Sequence, residues 1–107
     1  MITLTITTAG EANLYGKLVK KEVELRNRNT GTLHAKGAKK RNEAKWTHKT
    51  YDGWIRFSGS LGGAVVAVIR SKNSPAEGDL LTSFVGFLHR HFREDILSMS
   101  ITYGTEE

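Results

Sequence analysis

Six cations and one tryptophan fall within residues 36–49: Lys36, Lys39, Lys40, Arg41, Lys45 and Lys49, with Trp46 among them. Lysine and arginine attract phosphate, and an indole ring offers a face on which a base can stack, so this combination suits a groove for a nucleic acid or another polyanion. Lysines outnumber arginines here, which favours attraction to a phosphate backbone over reading of base edges, for which a bidentate arginine is better suited. The charge around them is concentrated. Residues 17–49 carry eleven Lys/Arg against three acids (Glu22, Glu24, Glu43), a net +8, whereas the rest of the chain carries five against eight, a net −3. These residues form the expected polyanion-binding site, with nucleic acid or an acidic protein as its partner.

The other reactive side chains point to less. His34 and His48 lie inside the basic third and could move protons beside a phosphate held by lysines, which is the chemistry of a small metal-independent ribonuclease. His89 and His91 are two residues apart in a helical segment, point nearly opposite ways and cannot share a metal. The absence of cysteine excludes disulfides, thiolate zinc sites and a cysteine nucleophile. SGSLGG at 58–63 resembles a phosphate loop in composition, but it joins two strand-like segments, so a hairpin turn accounts for it. No catalytic residue, metal site or cofactor is expected. The chain also lacks the aromatic, glycine or zinc spacings of the common nucleic-acid-binding motifs.

These residues need elements to hold them. Ile2, Leu4 and Ile6 alternate with threonines and predict a strand over 2–7. LYGKLVKKEVELRNR is ambiguous: Leu14, Leu18 and Leu25 fit a helical stripe, while Val19, Lys21, Val23 and Leu25 alternate with charges as a strand does. Gly16 weakens a helix, and a strand over 17–27 is the expectation, turning at RNTG into a partner at 32–36. KGAKKRNEA lacks a large apolar residue and predicts a loop. KWTHKT predicts a short strand with Trp46 and His48 on one face. WIRFSGS and AVVAVIRS flank the Gly62–Gly63 turn, and the unbroken apolar run 64–69 predicts a central strand covered on both faces. Ser74, Pro75 and Glu77 form a helix-start pattern with Ser74 as the cap. The helix then runs over 75–93, with Leu80, Leu81, Phe84, Val85, Phe87, Leu88, His91 and Phe92 in one arc. ILSMSITYG alternates strictly and predicts a strand over 96–103.

The whole is an α+β fold: one domain over 1–107, with an antiparallel sheet of five or six strands and one long helix on one face. A hydrophobic content of 38% and a charged content of 25% are those of a globular domain. The longest apolar block, 64–69, is too short to span a membrane, and the alternating N-terminus reads as a strand and not a signal peptide; a cytoplasmic location is the expectation. The leading functional reading is a small non-enzymatic binder of nucleic acid or another polyanion through 17–49. The second is a protein-interaction or homo-oligomeric accessory module using exposed sheet edges or the helix, and the third is the ribonuclease.

Overall fold

The computed structural model describes residues 1–10, 13–37 and 40–104. Six strands form one antiparallel sheet: β1 (Ile2–Thr8), β2 (Leu33–Ala35), β3 (Glu43–His48), β4 (Trp54–Gly59), β5 (Val65–Arg70) and β6 (Ile96–Tyr103). Their order across the sheet is β2-β3-β4-β5-β1-β6. Strands β2 to β5 make a meander. The remaining two links join parallel strands that are not neighbours, and parallel strands require a crossover element. Helix α1 (Leu14–Asn27) is the link from β1 to β2, and helix α2 (Ser74–Phe92) the link from β5 to β6. No helix among the described residues is long and apolar enough to cross a membrane.

One face of the sheet is covered. Register places Ile2, Leu4 and Ile6 beside Ile69, Ala67 and Val65, these beside Ile55 and Phe57, and Ile55 beside Trp46. All are buried with Leu14 and Leu18 of α1 and Leu80, Phe84, Phe87 and Leu88 of α2. The other face carries Thr3, Thr5, Val66, Val68, Trp54, Arg56 and Lys45. The apolar run of β5 therefore marks a central strand, as expected, but with one helix-covered face and not two: Val66 and Val68 are half-buried on the open side.

The strand expected over 17–27 is the helix α1, and the expected hairpin of 17–27 with 32–36 is absent. The stripe that decides it runs Leu14, Leu18, Glu22, with Glu22 as buried as the leucines. The competing alternation leaves Val23 exposed. Asn13 caps the helix by accepting from the Gly16 N–H at 3.2 Å. Gly16 lies within the first turn, under the folded-back Asn13 amide: a Cβ there would come 2.7 Å from Asn13 Nδ2. The actual partner of the 33–35 segment is β3, with Leu33 opposite His48 and Ala35 opposite Trp46.

The long helix lies where expected, shifted by one residue at its start. Asn73 is the cap and accepts from the Ala76 N–H at 3.3 Å, leaving Ser74 and Pro75 in the first turn. Glu77 does not close a box on Ser74; its carboxylate accepts from the Ser71 N–H at 3.2 Å and pairs with the chain's N-terminal ammonium at 3.2 Å.

Candidate polyanion-binding face

The basic stretch forms a ribbon and its tip. Strands β2 and β3 are short antiparallel partners, and residues 36–42 connect them. Lys36 leaves β2 with its N–H donated to the Lys45 carbonyl, and the backbones of Lys40 and Glu43 pair as an isolated antiparallel β-bridge. Asn42 takes a positive φ of 60°, turns the chain into β3 and donates to the Gly59 carbonyl at 2.9 Å. Lys36, Lys40 and Lys45 therefore share one end of the ribbon, where they line a shallow hollow with Glu43 and Arg56. Arg41 is exposed at the same turn. Lys49 donates its N–H to the Thr32 carbonyl at the other end, four residues or about 13 Å from Lys45 at strand spacing. Lys39 lies outside the described residues. None of Lys36, Lys40, Arg41, Lys45 and Lys49 pairs with a described acid.

Trp46 does not take the place expected of it. It is 1% exposed and packs edge-on against Phe57, Phe84 and Phe87, with centroid separations of 4.8, 6.0 and 5.3 Å. Its ring is a centre of the core, with no face left for a base. The neighbour of the cations is Trp54, a residue outside the expected site. Arg56 and Trp54 are two apart on β4, Lys45 is opposite Arg56, and Arg70 is opposite Trp54. All four belong to the open face. The Arg56 guanidinium lies 4.9 Å and the Lys45 ammonium 5.7 Å from the Trp54 ring centroid, within the range of a cation–π contact. Arg56 also faces Glu43 at 3.7 Å, a part-exposed pair of small energetic weight. The sequence signal that could have found this group is WIR: alternation places Trp54 and Arg56 on one side of a strand and Ile55 on the other.

The basic residues of α1 are more engaged. Lys17 reaches Asp95 at 2.9 Å, Lys21 reaches Glu24 at 3.4 Å, and Arg26 reaches Glu22 at 3.3 Å. Part of the charge counted over 17–49 is thus matched within α1 and at the turn that precedes β6.

The two histidines proposed for proton transfer do not converge on a shared position. His34 bridges Glu22 through Nδ1 at 3.0 Å and the Gly31 carbonyl through Nε2 at 3.1 Å, so both ring nitrogens are committed. Nδ1 of His48 accepts from the Thr50 N–H at 2.9 Å, and its ring lies on Tyr51 at 4.5 Å. Burial lowers the His48 pKa. His89 is exposed, while His91 packs against Phe87 at 4.8 Å, its pKa lowered by burial and then by Arg90 and Lys21. Among the described residues no three His, Asp or Glu side chains cluster as a metal site would require.

No protein-family model, curated protein or solved structure matches the chain.

Proposed function

We propose that the protein binds an extended polyanion, with single-stranded nucleic acid as the best-fitting class, along the open face of the sheet at the β3–β4 end. The observation that carries this reading is the Trp54 cluster, in which one ring holds Lys45 and Arg56 side by side on an uncovered surface. Lys36 and Lys40 continue that surface toward the ribbon tip, without described acid partners. Long cationic side chains lose rotamer freedom when they grip a ligand; cations already held over a ring lose less on binding. The contact is with the phosphates, so affinity depends little on sequence.

Binding of labelled single- and double-stranded RNA and DNA at several salt concentrations tests this. Four cations on a single strand give a log–log salt slope of about −3. Reversing Lys36, Lys40 and Lys45 to Glu is expected to lower low-salt affinity by about a hundredfold or more, with the unfolding midpoint near that of the parent. Equal affinity of parent and reversed protein, or binding insensitive to salt, would remove this surface from consideration.

A further inference from the structure

The two edges of the sheet are unlike. The β2 edge has three residues and lies among basic side chains, which blunt an edge. The β6 edge has eight residues, ILSMSITY, with no charge and no proline. Among the described residues no strand lies beyond it.

Backbone direction along β6 follows from its pairing with β1. Gly104 donates its N–H to the Met1 carbonyl at 2.9 Å, and the register runs on through Thr3–Thr102, Thr5–Ser100 and Thr7–Ser98. In an antiparallel ladder alternate residues direct both N–H and C=O to the same neighbour. Ser98, Ser100 and Thr102 therefore bond to β1, whereas Met99, Ile101 and Tyr103 direct their backbone groups outward; Leu97 lies at a bulge, where the register shifts from Thr7–Ser98 to Thr8–Ile96. The side chains of Met99, Ile101 and Tyr103 lie on the helix side of the sheet, level with Ile6, Leu4 and Ile2. Met99 still packs in part against the core, while Ile101 and Tyr103 extend past the cover of the helices. Leu97 is 74%, Ile101 42% and Tyr103 70% exposed, and these are three of the four large exposed apolar residues among those described.

We infer that this edge is the seat of a second copy of the chain, which joins through antiparallel pairing of β6 with β6 about a two-fold axis at Ser100. Every residue with an outward backbone is odd-numbered. A two-fold pairing that sets Met99 opposite Ile101 of the other copy therefore matches outward donors with outward acceptors at the centre of the strand, and brings Leu97 of the bulge opposite Tyr103. The same register lays the apolar residues of both copies in one patch on the helix side. Charge supports a copy as the occupant. The strand is neutral, so two of them meet without like charges. The basic ribbon lies at the opposite edge, five strand spacings or about 24 Å away, so the two most basic surfaces stay apart. A one-strand interface is at the small end of stable contacts, and association is expected to be reversible.

The test uses the full chain at a range of concentrations, with mass read by sedimentation. The mass rises from one chain toward two, and Ile101→Lys and Leu97→Lys each return it to one with no loss in unfolding midpoint. The register has its own readout, because the chain has no cysteine. Directly opposed residues without mutual hydrogen bonds have Cα atoms about 4.5 Å apart, within disulfide reach. Under mild oxidation Ser100→Cys, the one position opposite its own copy, is expected to cross-link into dimers, while in Ser98→Cys and Thr102→Cys each cysteine faces the other position, about 13 Å along the strand from its own copy, and cross-links far more slowly. A single-chain mass at every concentration would overturn the inference and leave the edge to an extended segment of another protein. A two-chain mass indifferent to Ile101→Lys, with no preference for cysteine at position 100, would place the interface elsewhere and overturn it equally.

Discussion

Trp46 and Trp54 are eight residues apart on neighbouring strands and lie on opposite faces of one sheet. Trp46 is enclosed by three phenylalanines from β4 and α2; Trp54 is half-buried between two cations on the open side. The difference comes from register. Trp46 pairs with Ile55, so it takes the helix side, and the residue before Ile55 must take the other. The covered face is where an aromatic ring stabilises the fold, and the open face is where one can organise charge for a ligand.

Truncation of each ring separates those two roles. Trp46→Ala is expected to cost about 4 kcal/mol of stability, as large-to-small changes in a close-packed aromatic core do, and a domain of this size is left close to unfolding. Trp54→Ala leaves most of the stability in place. Its effect is on polyanion affinity, by a few-fold, in keeping with the loss of an exposed cation–π contact of roughly 0.5–1 kcal/mol per cation. Denaturant titration and binding of a labelled single strand on the same two proteins give both numbers. Similar stability losses in the two variants would break the contrast between the faces.

Gly53 sharpens it from the backbone. It has a φ of +119°, and a Cβ there would overlap the Arg70 carbonyl oxygen and sit 2.8 Å from a Leu80 methyl. Only glycine allows the chain to enter β4 this close to the end of β5. Gly53→Ala is expected to destabilise by about 2–3 kcal/mol, less than Trp46→Ala, and to weaken polyanion binding because Trp54 is the next residue. A midpoint of denaturation unchanged by the substitution would mean that the turn relaxes without strain.

The parts that were legible in the sequence are those where one period dominates. The arc of α2 and the alternation of β1 and β6 each have a single reading, and the strands and long helix fall within a residue or two of it. Segment 14–27 carries both periods at once. Helix buries Leu14 and Leu18, but it also buries Glu22, which is tolerated only because the His34 ring and the Arg26 guanidinium meet its carboxylate. His34 lies twelve residues further on, beyond the helix end, so local pattern cannot report it. The candidate site divides in the same way. Clustered lysines are visible in composition, but which tryptophan stands beside them depends on which side of the sheet the helices cover, a property of the assembled layers and not of the KWTHK stretch. Arg56 escaped notice for the same reason, being brought beside Lys45 by pairing of β3 with β4.

The smallest effect expected is one of pH, and it too distinguishes the faces. The polyanion face is built from lysine and arginine, residue types that do not titrate in the interval where imidazole does. His48 and His91, by contrast, have pKa values lowered from the ordinary 6.5. The unfolded chain therefore binds protons on these groups before the folded one does, and stability falls as pH drops through 6.5, levelling off below the folded values. His48 has a specific reason to resist protonation, since its Nδ1 accepts the Thr50 N–H and loses that role once it carries a proton. The midpoint of urea denaturation should drop between pH 7.5 and pH 5.5, and His91→Gln or His48→Gln should each reduce the drop, the two together more than either. Over the same interval, polyanion affinity measured well below the unfolding midpoint should change little. A flat urea midpoint would show that neither imidazole is disfavoured as a cation in the fold. A large change in affinity would show that a titrating group belongs to the binding face after all, and His48, adjacent to Lys49, would be the first to test.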